Sequence, residues 1–334
     1  MKLSDIKITP LLDSLQMLKI TDKEYFGPKY RNYISNSRLN LLKYNKYPDK
    51  FFAGLVSNSY MPCFEYGSAV HELILQPDYF QLVTSVEKPT AKAGALADYL
   101  YEEGKIPTYK KCRDAFKELD YFADSYTNDK PNKLIDKCKD YRKERTYYKK
   151  NNPTDKELIY LSANNITSVS ECVKNIQNNQ QFQEILQCQD GINMNEMAIL
   201  LNVKVEAPDQ KPFIFKLKSK LDNFIIQDNE IQVNDLKTTG KPIGEFNNAI
   251  ENFSYYRELA MYSWLLKFVA ESKGIKNPRI TGNFLTVESF PMYNTQLFPI
   301  SPLLLNKGLR EFSHLLRLAA FYSYNGYGGL AEDL

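Results

Sequence analysis

Histidine is nearly absent: the 334 residues contain only His71 and His314, alongside a single tryptophan. Two histidines rule against a multi-histidine zinc site and leave little for a Ser-His-Asp or Cys-His system. The five cysteines, Cys63, Cys112, Cys138, Cys172 and Cys188, are odd in number and form no CxxC pair, which reads as reduced thiols rather than a disulfide framework. No apolar run approaches the roughly 20 residues that span a bilayer, and the amino-terminal MKLSDIKITPLLDSL lacks a signal-peptide core, so the expectation is a cytoplasmic protein with no membrane partner. Charge of one sign is not in excess either. The formal net charge of +3 is too small to argue for a polyanionic partner. No internal repeat or low-complexity linker divides the chain.

What remains is an average globular composition, 43% hydrophobic and 25% charged, with ample length for a large core. Residues 1–60 read as helical and loop-rich, with helix caps at Ile34-Ser35-Asn36-Ser37. Apolar spacing predicts a helix over Tyr66–Gln76, ended by Pro77. Residues 87–190 read as a long, mostly helical block, including one helix over Leu161–Gln187. Within the block, Lys130–Lys150 interleaves basic residues with Tyr141, Tyr147 and Tyr148, which fits either a solvated helix face or a phosphate track. From Gly191 the pattern changes to strands, over Glu196–Val205, Pro212–Asp222, Ile231–Lys237, Arg279–Glu288 and Met292–Ile300. Helices over Ser254–Lys273 and Pro302–Tyr322 interrupt and close them. Strands joined by a crossover helix predict an α/β fold: a mixed central sheet flanked by helices, with a large helical insertion. The expectation is one domain over 1–334, with an N-terminal helical part at 1–86, the insertion at 87–190 and the sheet core at 191–325.

The chemistry concentrates between Lys216 and Thr239. Two strands joined by a polar turn at Asp228-Asn229 bring Asp222, at the end of the first, near Asp235 on the second. Alternation puts Asp235 and Lys237 on one side and Leu236 on the other. Facing carboxylates repel unless a cation lies between them. Hard oxygen donors suit Mg²⁺, which lowers the pKa of a bound water, and Lys237 could stabilise a crowded phosphorane electrostatically. An ordinary exposed Asp–Lys pair is the plain alternative. Upstream, Gly67 and His71 lie one turn apart on a helix. Downstream, Glu258 and Tyr262 are also four apart, although Tyr262 equally fits the apolar stripe.

GxxxH, then Asp, then DxK, then a polar residue and Tyr at i and i+4, in that order, resembles the PD-(D/E)XK nuclease superfamily. Within it the chain is similar to the RecE/RecB-like exonucleases of phage type, through YISNSRLNLL, YGSAVHELILQPDYF, KSKLD and VNDLKTTG, spread over roughly residues 30–270. The resemblance implies a restriction-endonuclease-like core and a Mg²⁺- or Mn²⁺-dependent exonuclease acting on linear duplex DNA, in recombination or replication. It implies His71, Asp222, Asp235 and the Leu236 backbone carbonyl as metal ligands, Lys237 as the catalytic lysine, and Tyr262 as a residue that holds DNA. Glu258 stands where the pattern has glutamine, which leaves its own DNA-holding role open to a contact with Lys237, the metal or a base edge. Glu196 is a further acidic candidate. Some relatives carry an iron–sulfur cluster, but no cysteine follows Cys188, so none is expected here. No nucleotide is expected either, because a Walker A segment is missing. A single-strand annealing partner and a ring-shaped homo-oligomer also follow from the resemblance. An endonuclease, and a non-catalytic DNA-binding or assembly protein, are the alternatives.

Overall fold

The computed structural model describes residues 2–43, 48–53, 62–119 and 131–326. The chain forms two compact units, one from residues 1–57, 179–288 and 294–334, the other from 58–178 with 289–293. The strands in chain order are β1 (Lys7–Leu18), β2 (Phe80–Val83), β3 (Glu157–Tyr160), β4 (Ile192–Glu206), β5 (Phe213–Gln227), β6 (Glu230–Thr239), β7 (Arg279–Glu288) and β8 (Thr295–Pro299).

The larger unit holds a six-stranded sheet in the order β1-β4-β5-β6-β7-β8. Every neighbouring pair is antiparallel except β6–β7. A parallel pair needs a crossover, and the helix Tyr255–Ser272 supplies it. Its buried stripe of Leu259, Tyr262, Leu265, Leu266 and Val269 joins the main core. Gly274, at φ 86°, follows the helix end in the left-handed conformation that glycine adopts without strain. The closing helix Pro302–Asn325 begins at Ser301, whose side chain accepts from the Leu304 amide. It packs so closely on the crossover helix that a Cβ at Gly308 would lie 2.5 Å from the Tyr256 carbonyl oxygen. The α/β class, a mixed sheet flanked by helices, is as the sequence pattern predicts.

Where β5 leaves β6, the sheet splits. The β5–β6 ladder runs only from Asn223↔Asn234 to Gln227↔Glu230. Beyond it the backbone of Ile34 pairs with β5, accepting from Lys218 N at 2.9 Å and donating to Lys216 O at 2.7 Å. Ser35 then caps the helix Asn36–Leu39 by accepting from the Arg38 amide.

On the sheet face opposite Asp222 runs a buried row of side-chain amides. Asn223 Nδ2 donates to Asn193 Oδ1 and Asn195 Oδ1, both at 2.7 Å. Asn234 Nδ2 donates to Asn223 Oδ1 at 2.7 Å, and Asn234 Oδ1 accepts from Asn283 Nδ2 at 2.9 Å and Gln232 Nε2 at 3.0 Å. Asn223 and Asn234, each 1% exposed, form the last β5–β6 rung before the split.

In the smaller unit, β2 and β3 pair in parallel and the helices Ala91–Glu102, Tyr109–Glu118 and Pro131–Asn151 enclose a core of Val83, Leu96, Leu100, Cys112, Tyr141 and Tyr160. A buried ionic cluster crosses this core: Lys88 contacts Glu65 and Asp98, and Arg145 reaches Asp98 at 2.7 Å.

Several element boundaries differ from the sequence pattern. Residues 7–18 are a strand, not helix or loop, because pairing with β4 overrides the helical spacing of Leu11, Leu15 and Leu18, with an irregularity between Leu11 and Gln16. The segment 161–187 is two helices, Ala163–Asn178 and Gln180–Leu186, because Asn179 starts the second by accepting from the Phe182 amide. The mostly helical block 87–190 also contributes β3. Asp222 lies inside β5 rather than at its end. Of the basic segment, Tyr141 and Arg145 are core residues, while Tyr147 is exposed.

Candidate active site

Asp222, Asp235 and Lys237 meet at the split. Asp222 and Asp235 occupy the first opposed positions beyond the Asn223–Asn234 rung, where the backbone ladder has ended. The Asp222 carboxylate takes up the amide that β5 no longer serves, with Leu236 N donating to Asp222 Oδ2 at 2.8 Å. The observed contact of Leu236 with this cluster is therefore through its N–H. Asp235 is 1% exposed, and Lys237 Nζ approaches its Oδ2 at 2.7 Å. That contact is ionic, and Oδ2 is itself buried.

The crossover helix supplies the other side. Glu258 Oε2 lies 3.3 Å from Lys237 Nζ, and Tyr262 donates its hydroxyl to Glu258 Oε1 at 3.1 Å. The Tyr255 ring sits 4.8 Å from the same ammonium. Burial pulls Lys237 down, but Asp235, Glu258 and Asp222 outweigh it and hold the ammonium well above the ordinary lysine range. Burial pushes both Asp222 and Asp235 up, and Lys237 only partly opposes this. Burial, with Glu258 next, raises the Tyr262 hydroxyl well above its usual value, so Tyr262 stays neutral and donates.

A third carboxylate extends the row onto β4. The register places Glu196 opposite Asp222, between the pairs Asn195↔Asn223 and Met197↔Leu221. Glu196 adopts φ 56°, a left-handed conformation costly for a non-glycine residue and found where side chains are re-aimed. Carboxylate oxygens of Glu196 and Asp222 lie within 4.8 Å of each other. Lys220 bridges outward from this pair, contacting Glu196 and reaching Asp22 Oδ1 at 2.5 Å.

The fold thus brings Asp222, Asp235, Lys237, Glu258 and Tyr262 together and adds Glu196. His71 sits half-buried on the helix Pro62–Leu75 of the smaller unit. Lys220 and Asp22 were not foreseen as site residues. The alternation that puts Lys220 on the same face as Asp222 was visible in the sequence; the approach of Asp22, about 200 positions away, was not.

Chemically, the acids of the larger unit offer oxygen donors, and burial disfavours Asp222 and Asp235 as bare anions. Such a set fits a hard divalent cation such as Mg²⁺ or Mn²⁺.

No family model matches this sequence, and no curated protein matches it closely. Among solved structures, the chain is similar to a Eubacterium rectale protein provisionally named an exonuclease. The identity is 13% and the TM-score 0.40, over 91% of this chain and 88% of that one. It is also similar to the protein SSO0001, at 16% identity and TM-score 0.25, over 52% of this chain and 70% of that one. Likenesses this distant assign no activity.

Proposed function

We propose that this protein is a metal-dependent DNA nuclease of PD-(D/E)XK type, a RecE-like exonuclease that degrades linear duplex ends. The observation that carries the reading is the split between β5 and β6, which gathers Asp222, Asp235 and Lys237 beside Glu196. In this reading Asp222, Asp235 and Glu196 hold Mg²⁺ or Mn²⁺. The resemblance adds His71 and the Leu236 carbonyl to the ligand set. A bound ion of this kind supplies a water of lowered pKa and offsets charge on the scissile phosphate.

The chain's own groups do the rest. The Leu236 amide orients Asp222. Lys237, held cationic, faces the negative charge that grows on the phosphate oxygens as the phosphodiester breaks. Glu258 fixes the lysine and is itself fixed by Tyr262, so an ammonium on a flexible stem is aimed before substrate arrives. Glu258 thereby serves Lys237 rather than a phosphate. In this reading the whole chain works as one nuclease, in phage recombination or replication within a host cytoplasm, beside a single-strand annealing protein and as a homo-oligomer.

The test is nucleotide release from linear duplex with Mg²⁺. Asp235→Ala is expected to lose at least about 100-fold, on the scale of removing one preorganised charged group. Covalently closed circular DNA should survive. Equal activity in wild type and Asp235→Ala refutes the assignment, and cleavage of closed circles makes it an endonuclease.

A further inference from the structure

Beside the carboxylate row, the larger unit carries positive charge that its own acids do not neutralise. Lys216, Lys218 and Lys220 share the Asp222 face of β5. Lys220 is neutralised by Glu196 and Asp22. Lys218 is not: it is 6% exposed, donates to the Tyr25 carbonyl oxygen at 2.7 Å and lies 4.3 Å from the Tyr25 ring centroid. Arg38, also 6% exposed, spends its donors on carbonyl oxygens of Phe51, Arg31 and Tyr33. Among the described residues no carboxylate pairs with either cation. Burying two cations without a counter-anion is costly, and an anionic ligand would relieve it.

The surface above these cations suits one class of anion. Residues 22–33 lie over them and expose Lys23, Lys29 and Arg31. Lys216 is exposed too, its ammonium 5.7 Å from the Tyr33 ring. Of the two acids of this segment, Asp22 pairs with Lys220, while Glu24 accepts from the Thr21 amide at 2.9 Å and offsets part of the Lys29 charge. In the same segment Phe26 is 66% exposed, braced edge-on by buried Tyr25 at 5.0 Å between centroids, with the Lys218 ammonium 5.7 Å from its ring. A large apolar ring held out into solvent, in a segment that also exposes lysine and arginine, matches the stacking-plus-phosphate pattern by which single nucleic-acid strands are bound.

We propose that the exposed face of Lys23–Tyr33, with Lys216, binds a single nucleic-acid strand, one base stacked on Phe26 and phosphates on Lys29, Arg31 and Lys216. Resting on the nuclease reading, this assigns the segment to holding the strand beside the carboxylate row rather than to cleaving it. No residue of the patch touches the scissile bond.

The experiment is fluorescence anisotropy of a labelled single-stranded oligonucleotide with the full chain in EDTA, where cleavage cannot occur. Phe26→Ala should weaken binding about 5- to 100-fold, Phe26→Trp should restore it, and both should melt like wild type because the ring is exposed. Lys29→Gln with Arg31→Gln should flatten the slope of log affinity against log salt by roughly 1.4, two released counterions at about 0.7 each. Wild-type affinity in Phe26→Ala, or an unchanged salt slope in the double variant, overturns the proposal. So does an equal loss of heparin binding in Phe26→Ala, because heparin has no bases to stack. If wild type binds the strand with these dependences yet releases no nucleotides from linear duplex with Mg²⁺, the strand-binding surface stands and the nuclease reading falls.

Discussion

The amide row behind the carboxylates makes a quantitative prediction about Asn234. Replacing it with valine, similar in volume and well suited to a strand, removes three hydrogen bonds without opening a large cavity. Two buried groups lose their partner, Asn223 Oδ1 and Asn283 Nδ2, while half-buried Gln232 can turn to water. At about 1–3 kcal/mol for each stranded buried group, Asn234→Val should cost about 2–6 kcal/mol. Asn283→Val, at the end of the row, removes one of these bonds and leaves Asn234 Oδ1 still served by Gln232. It should cost about 1 kcal/mol. Asn223→Val with Asn234→Val should cost less than the sum of the single changes, because the bond between them is removed once and not twice. The chain's one tryptophan allows a clean assay. Trp264 packs on Phe268 and Phe312 within the larger unit, so its fluorescence during urea unfolding reports that unit alone. A loss below about 1 kcal/mol for Asn234→Val would refute the reasoning, as would an equal cost for Asn283→Val.

Two further outcomes follow from the site and its surroundings. Glu258→Gln keeps an oxygen for Tyr262 but removes a negative charge 3.3 Å from Lys237, so substrate affinity should rise by up to about tenfold while Glu258→Ala loses turnover; steady-state kinetics separate the two. Lys218 carries a pH signature. Burial first, then the nearby Arg38 charge, lowers its pKa from 10.5 to about 8. Between about 8 and 10.5 the unfolded chain binds more protons than the folded one, so this residue makes stability rise with pH across that window, and its penalty is fully present below it. Thermal melting should show Lys218→Met more stable than wild type at neutral pH, with the difference shrinking toward pH 10.5; a constant difference would show that the charge is not the cause.

Local chemistry makes much of the fold readable in order. Alternation of apolar and polar residues marks β5, β6 and β7, the turn at Asp228-Asn229 closes the hairpin, and the apolar stripe after Ser254 marks the crossover helix within a residue of its limits. These are short-range signals, written in neighbouring residues. The same alternation sets Asp235 and Lys237 on one face, and helical spacing stacks Glu258 over Tyr262.

Neighbouring residues therefore settle which side chains can share a face, and on which kind of element. Which faces meet was decided by tertiary structure. Strand pairing turned 7–18 into β1 against its helical spacing. Register put Glu196 opposite Asp222 and aligned Asn223, Asn234 and Asn283, none of which has a local signature. The point where β5 and β6 part depends on Ile34 entering beside β5, and the neutralisation of Lys220 depends on Asp22. Each joins segments about 200 positions apart. The free energy that selects such contacts comes from burying apolar surface and satisfying backbone groups across the whole sheet. No window of a few residues contains that sum, so the acids and lysine are legible in the sequence while the arrangement that gathers them is not.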